Sequence, residues 1–324
     1  MVLNPVVTPG LIRDLEVLSP GGVETDVPLD AATRWRIGGR AKLIVCPGSI
    51  EELSRIRAYF HDNCISHAII GDTSNLLFSD AGVAVPCIHI GKRLSALDIR
   101  GAEVFAEAGL WAPLFARKMM QAGLSGTEHI CGIPGTLGGL VFMNGGSQRR
   151  AIGSSIRQVA VVRSDGTQAT YTPNRDFFAY RSSRFQSTRD AIASIVLEFE
   201  TRRRPAEIRR EMLGILQARR MKFPKEFPNC GSVFKSNPAM YADFGAPGFV
   251  IERLGLKGCR IGGAEVSNHH ANFIVNRGNA TARDVCALIR LLSDRVWSET
   301  GYRMEVEVRL VAEDGSINAV QAEQ

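Results

Sequence analysis

Apolar residues at Ile50, Leu53, Ile56 and Phe60 fall three or four positions apart, the spacing of one buried helix face. Ser49 with Glu52 three residues on makes a capping box at its start. Short apolar runs at 42–45, 67–70 and 83–90 flank this helix as strands, so the pattern predicts a β-α-β unit. Residues 103–108 alternate as a strand does, and Pro113 opens a helix that stops at Gly123. The runs 158–162 and 167–172 bracket Ser164-Asp165-Gly166 and predict a hairpin. An apolar strand at 191–199 then closes this part of the chain. Pro205 opens a helix bearing Ile208, Met212, Ile215 and Leu216, which ends in Arg219-Arg220. Apolar residues at 285, 288, 289, 292 and 296 mark an amphipathic helix over 281–298. Finally, Met304, Val306, Val308 and Leu310 alternate with Glu305, Glu307 and Arg309, so those three charged side chains share one strand face.

Divided by these patterns, the chain has an N-terminal arm at 1–30 with one short helix over 11–18. A first lobe follows at 31–95, a second at 96–203, a third unit at 204–313, and a frayed polar tail at 314–324. The boundary at 203/204 rests on Arg202 to Pro205, read as a hinge where charge and proline replace the apolar run. No repeat of fixed period occurs.

With 324 residues, 45% of them hydrophobic and 22% charged, the chain has the composition of a globular enzyme. Lysine and arginine number 39 against 33 acidic residues, a net charge of +6 with a pI near 9.1. The densest basic runs, Arg202-Arg203-Arg204 and Arg219-Arg220-Met221-Lys222, lack the interleaved aromatics of a single-strand binder. An anionic small substrate accounts for the charge, and no nucleic-acid partner is expected. Seven scattered cysteines, none in Cys-x-x-Cys spacing, indicate neither a disulfide framework nor a zinc site. No run approaches the ~20 apolar residues of a membrane span, and the start does not read as a signal peptide. A cytoplasmic monomer without a metal is expected.

Six of the fifteen residues from Gly132 to Gly146 are glycine, and Pro134 stiffens the entry. Successive amide N–H groups bare of side chains make a concave anion site, the alternative being a tight connection between buried strands. A second stretch, Ile70 to Leu77, follows a strand and carries the small donors Thr73, Ser74 and Asn75, the place and chemistry of phosphate binding in α/β folds. No Gly-x-Gly-x-x-Gly follows a strand and no Walker lysine is present, so Rossmann and P-loop readings fail. On residues alone, Ser232 is a turn serine with no nucleophile elbow around it. Arg181 is a surface cation and Glu307 lies on a solvated strand face.

Together with Thr33 to Ala41 (Thr-Arg-Trp-Arg-Ile-Gly-Gly-Arg-Ala), these stretches resemble the flavin-binding half of the UDP-N-acetylenolpyruvoylglucosamine reductase family. Gly71-Asp72-Thr73-Ser74-Asn75-Leu76-Leu77 follows the family's loop except at Thr73, which replaces a glycine. The likeness extends over about residues 30–312. It implies an α+β protein: a two-lobed FAD-binding domain of the vanillyl-alcohol-oxidase/PCMH-like type and a C-terminal α+β substrate-binding domain. FAD is expected against Gly71, Asp72, Thr73, Ser74, Asn75, Gly132, Pro134, Gly135, Thr136, Gly138 and Gly139, with NADPH as reductant.

By the same resemblance, the segment Gly231-Ser232-Val233-Phe234-Lys235 carries the family's proton-donating serine, Ser232. Tyr180-Arg181-Ser182-Ser183-Arg184-Phe185 carries the arginine that holds an enolpyruvyl carboxylate, Arg181. The final strand carries a glutamate working opposite it, Glu307, or Glu305 if the register differs by two. Hydride addition from reduced flavin to the enolpyruvyl β-carbon pushes charge into that carboxylate, which a planar guanidinium can hold bidentately. A positioned hydroxyl then protonates the α-carbon, in the field of Lys222, Lys235 and Arg309. Tyr180, Arg219, Lys222, Lys235, Lys257, His270 and Arg309 are the expected substrate-binding residues, while His269 reads as an ordinary polar side chain. Departures lie at Thr73, at Gly145 to Arg150, where the family's tyrosine is lost and charge is added, and at Glu265 in place of glutamine. The expected product is UDP-N-acetylmuramate from UDP-N-acetylglucosamine enolpyruvate. A paralogue acting on another enolpyruvyl nucleotide sugar is the alternative within the class, and a non-catalytic flavin- or nucleotide-binding regulator the alternative outside it.

Overall fold

In the computed structural model, which describes residues 7–320, the first helix is Pro9–Leu18. Thr8 caps it by accepting the Leu11 amide, and Leu11 and Leu15 are buried beneath it. The strand Val23–Pro28 comes next and pairs antiparallel with Arg40–Val45. Residues read from the sequence as an arm therefore belong to the first lobe's sheet. Proline-rich spacing hid the strand, because Pro28 sits at the end of an edge strand where a missing N–H is tolerated. The sheet continues with Cys87–His89 and Ala68–Ile70, all parallel to Arg40–Val45. The crossover helix Ile50–Asp62 buries Leu53, Ile56 and Phe60. Its cap differs slightly from the box expected: Ser49 accepts the Glu52 amide, but the Glu52 carboxylate takes the amide of Gly48 at 2.7 Å.

The second lobe is one antiparallel sheet in the order Leu97–Arg100, Glu103–Glu107, Ala191–Glu198, Ile156–Val162, Gln168–Tyr171. Ala191–Glu198 is central, and its first five residues are all buried, which is why it reads as an unbroken apolar run. Arg57 joins the two lobes from within. It is 1% exposed, donates to the carbonyls of Arg163 (3.1 Å) and Arg189 (2.6 Å), and lies 3.1 Å from the His67 ring.

Helix Pro205–Lys222 buries Ile208, Met212 and Ile215 in the core shared by the first two lobes, and Leu216 is exposed. The segment expected to be a hinge is tied down: Ser125 donates to Thr201 O, and Arg203 donates to Gly123 O. Packing thus moves the boundary expected at 203/204 to the end of this helix. A change in composition marked where one sheet ends, not where one core ends. Beyond it, helix Ala282–Thr300 covers the small sheet Arg260–Ile261, Ala264–Val266, Ile274–Asn276. Thr281 and Asp284 form its capping box, and Gly301 ends it at φ 70°. Trp35, from the first lobe, is buried in this third core and donates Nε1–H to Ile274 O at 3.0 Å.

The last strand turns back to the first lobe. Met304, Val306 and Val308 are buried as the alternation requires, yet the regular ladder covers only Arg309–Val311. That strand pairs parallel with Leu76–Phe78 and antiparallel with Ile317–Ala319. The tail expected to fray therefore forms a hairpin as far as Val320, its turn made by Gly315 at φ 79° and by Asp314 accepting the Ser316 amide. Residues 321–324 of that predicted tail lie outside the described residues. No helix among the described residues is long and apolar enough to cross a membrane.

Candidate active site

The parallel pairing of Leu76–Phe78 with Arg309–Val311 assembles the site. It sets Asn75 against the last strand: Asn75 Nδ2 donates to Glu307 O at 3.0 Å, and Arg309 N donates to Asn75 O at 3.1 Å. The segment around Ser232 runs antiparallel to the other edge. Glu307 N donates to Val233 O at 2.7 Å, Lys235 N to Glu305 O at 2.9 Å, and Phe234 bridges Val306. Ser232 follows Gly231, whose φ of 82° and amide bond to Asn229 Oδ1 make the tight turn expected there.

Arg181 reaches this strand from the second lobe. Phe178–Ala179 and Ser182–Ser183 form a minimal hairpin with Tyr180 and Arg181 at its tip, and Arg181 adopts φ 53°. That left-handed position suits glycine or asparagine and strains an arginine. From it, Nε lies 2.8 Å from Glu307 Oε1, and a terminal nitrogen donates to Gly146 O at 3.3 Å. The Nε–H is not aligned on the carboxylate oxygen, so the contact is a charge pair rather than a directed hydrogen bond. Burial pushes the Glu307 carboxyl up, opposed by Arg181 and then Lys235. Of the two candidate glutamates, Glu307 lies against Arg181, while Glu305 is mostly exposed and pairs with Lys235. Arg309, half-buried, donates to Gln186 Oε1 at 2.6 Å beside the Phe142 ring, and burial alone lowers its pKa. Tyr180 is exposed, its hydroxyl accepting the Ser236 amide.

The remaining expected substrate residues gather at the end of helix Pro205–Lys222. The Arg219 guanidinium lies 4.7 Å from the Phe223 ring and the Lys222 ammonium 5.8 Å. His270 packs on Phe223 and Phe273. Burial first, then Lys222 and more weakly Lys257, lower its pKa to about 4. Lys257 itself is tied to Glu252 at 2.7 Å. His269 binds Met221 O across to the helix, a structural link.

The two glycine stretches touch. A Cβ on Gly71 would fall 2.7 Å from Thr136 Oγ1, and one on Gly135 would fall 2.9 Å from Ser74 Oγ. Several of the amides expected to face an anion do not. Leu137 N and Gly138 N donate to Leu110 O and Ala108 O, and Gly139 N to Thr136 Oγ1. Gly138 is a packing glycine against Ala108, and Gly132 gives room for Arg219. The Asp72 carboxylate is held by Arg34, from the stretch upstream. Among the described residues, the amides of Asp72, Thr73, Ser74, Asn75, Gly135 and Thr136 donate to no protein acceptor. Thr127 Oγ1 and both ring nitrogens of His129, just before the second stretch, are buried without partners. Free backbone amides on two loops in contact, one of them carrying the small polar side chains Thr73, Ser74 and Asn75, fit a phosphate-bearing cofactor such as FAD. Thr73 adopts φ 54°, so the family's glycine is missing at a position where glycine would relieve strain. Glu265 causes no such problem: it is buried between Arg260 and Arg277.

Two residues absent from the expected set hold the site together. Gln186 contacts both Arg181 and Arg309. Asn144, buried at φ 43°, donates to Ala179 O and accepts the Gly153 amide. An asparagine ahead of Gly-Gly is a readable left-handed signal, whereas nothing in the sequence singles out Gln186.

Residues 41–172 match the FAD binding domain family, and residues 223–311 match the UDP-N-acetylenolpyruvoylglucosamine reductase C-terminal domain. UDP-N-acetylenolpyruvoylglucosamine reductase 1 of Corynebacterium glutamicum is 41% identical over 294 residues, 90% of this chain and 87% of that protein. The reductase of Heliobacterium modesticaldum is 38% identical over 288 residues, 89% of this chain and 90% of that protein. The crystal structure of the Thermus caldophilus reductase superposes with a TM-score of 0.75 at 33% identity, covering 89% of this chain and 98% of that one.

Proposed function

The chain belongs to the UDP-N-acetylenolpyruvoylglucosamine reductase family, and from that membership we propose that it converts UDP-N-acetylglucosamine enolpyruvate to UDP-N-acetylmuramate through Arg181, Ser232 and Glu307. One observation carries the residue assignment: three segments far apart in sequence, around 181, 232 and 307, meet at the strand that bears Glu307, the 232 segment through backbone bonds and Arg181 through its side chain, 2.8 Å from the Glu307 carboxylate.

Bound FAD, once reduced by NADPH, would supply the hydride for the enolpyruvyl β-carbon. The amides of Asp72 to Asn75, Gly135 and Thr136 would hold the cofactor's phosphates. Arg181 binds the substrate carboxylate and stabilises the charge that grows there, as preorganised donors do at an oxyanion. Glu307 keeps the guanidinium in place from a largely buried position. Ser232 gives its hydroxyl proton to the α-carbon, in the field of Lys222, Lys235 and Arg309, which offsets its poor acidity. Arg219, Lys222 and His270 receive the uridine diphosphate portion.

The test is an anaerobic spectrum. Flavin absorbance should bleach with NADPH and return on adding UDP-N-acetylglucosamine enolpyruvate. In Ser232→Ala, bleaching should proceed normally while the return slows by about 10²–10⁴-fold, the usual worth of a general acid. Equal loss in both half-reactions of a folded variant would refute the proton-donor role. Normal bleaching without return in the unaltered protein would point to another enolpyruvyl sugar, in keeping with the altered residues Gly145 to Arg150.

A further inference from the structure

We propose that Gln186 is a positioning residue for the reaction, the group that sets the Arg181 and Arg309 guanidiniums relative to one another. The inference rests on the carboxylate-binding role given to Arg181 above. Gln186 Nε2 donates to Phe142 O at 3.0 Å and to Arg181 O at 3.1 Å, with Met143 Sδ at 3.7 Å. Its Oε1 accepts from Arg309 at 2.6 Å. Both amide hydrogens and the oxygen are thus committed, and the orientation is unique. Reversing the amide would set its oxygen against two carbonyls and its NH₂ against a cation.

Each bond bears on the site. The bond to Arg181 O fixes the peptide on one side of a residue held at φ 53°, a conformation that persists only when its surroundings over-determine it. Asn144 secures the hairpin through Ala179 O, two residues earlier. The bond from Arg309 gives a half-buried cation a neutral acceptor. Among the described residues no carboxylate compensates the burial of Arg309, so its charge remains available to the cleft while its direction is fixed. The bond to Phe142 O, shared with Ser183 Oγ at 2.7 Å, ties the Arg181 main chain and the Arg309 guanidinium to the helix Leu137–Phe142 within the second glycine stretch. Gln186 thereby refers substrate-binding groups to the flavin-side scaffold.

Only a glutamine serves all three partners. Glutamate keeps its length and its bond with Arg309 but turns an acceptor toward two carbonyl oxygens. Methionine keeps the volume and loses every polar contact. The experiment measures both half-reactions in Gln186→Met and Gln186→Glu by anaerobic stopped flow. Flavin reduction by NADPH should stay within about twofold, while reoxidation by the enolpyruvyl substrate falls by about 10- to 100-fold in both, the scale of loss when a reacting group is misplaced by about an ångström. The ratio of Gln186→Glu to unaltered reoxidation rate should rise as the pH is lowered, because a protonated carboxyl regains one donor for the two carbonyls. Reoxidation within twofold of normal in both variants would overturn the proposal. So would an equal fall in both half-reactions, or a fall in thermal stability with no change in either rate. Failure of the unaltered protein to reoxidise with this substrate would instead sink the reading on which it rests.

Discussion

Replacing Gly135 and Gly138 separately by alanine distinguishes a cofactor cradle from a structural turn. Gly135 has φ 136°, a conformation that side-chain-bearing residues rarely adopt, and forcing alanine into it costs about 1–3 kcal/mol. The steric part is small, since the nearest atom to the new Cβ is the Ser74 hydroxyl at 2.9 Å, which can rotate away. Strain is relieved by turning the peptide, and that moves the unbonded amides of Gly135 and Thr136 away from the Gly71 to Asn75 loop. FAD affinity should fall by about 10- to 100-fold, that is by roughly 1.4–2.8 kcal/mol. Gly138 differs. Its Cβ would sit 2.8 Å from Ala108 Cβ and 3.1 Å from Ala108 O, in a buried contact closed by its own amide bond to Ala108 O. Nothing there is a flexible side-chain end, so Gly138→Ala should destabilise folding by about 1–3 kcal/mol as overpacking does. Urea unfolding of the apoproteins gives the stability term, and titration of flavin fluorescence gives the affinity term. The expected result is a crossed pattern, with affinity lost at 135 and stability lost at 138. FAD binding by Gly135→Ala as tight as that of the unaltered protein would show that the stretch is a turn and refute the cradle.

Two further substitutions probe the strained arginine and the buried histidine. Arg181→Gly keeps the left-handed turn and removes the guanidinium, so substrate-dependent reoxidation should fall about 100-fold, a charged hydrogen-bond pair's worth. Arg181→Ala should match it in rate but be less stable by about 1 kcal/mol, the left-handed penalty of a Cβ; equal stability of the two in urea would contradict the strain. His129 is pushed down to about 4 by burial, whereas an unfolded histidine titrates near its usual value of about 6.5. Between those values the unfolded chain binds the extra proton, so stability falls as the pH is lowered from about 6.5 to about 4. His67 and His270 act in the same direction. Apo His129→Leu should show a shallower loss across that window in urea unfolding monitored at several pH values. An unchanged slope would mean that the ring is not held neutral by burial.

What the sequence disclosed, and what it withheld, divides along the range of the interactions. Helix Ile50–Asp62, the 156–171 hairpin and helix Ala282–Thr300 carry their signals locally, as caps and periodicity, and all were readable. The strand Val23–Pro28 was not. Its apolar content is low, and only Arg40–Val45 beside it makes it a strand. The helix after Pro205 was readable as a helix, but which core it joins is set by Glu128, a fully buried carboxylate 3.8 Å from Arg203, and by Cys131 against Met212 O. Neither contact leaves a periodic trace. The proposed trio was nameable only through resemblance, since Ser232, Arg181 and Glu307 taken singly look like turn and surface residues.

A strand pairing of three residues explains why such ordinary side chains become a site. Leu76–Phe78 comes directly after Asn75 of the first phosphate-type loop, and Arg309–Val311 begins two residues after Glu307. Pairing them in parallel brings the loop's end, Asn75, against the backbone of Glu307. The antiparallel contact of Val233 with Glu307 then places the Ser232 turn on the same strand. Arg181 is the one member brought from another lobe, and it is the one with a strained backbone, a strain that the Glu307 pair and the Gln186 and Asn144 bonds hold in place. The alternation of Glu305, Glu307 and Arg309 has its meaning in this context. The strand presents its apolar face to the third core and its charged face to the cleft, so the pattern that folds the last strand is the same pattern that furnishes the site.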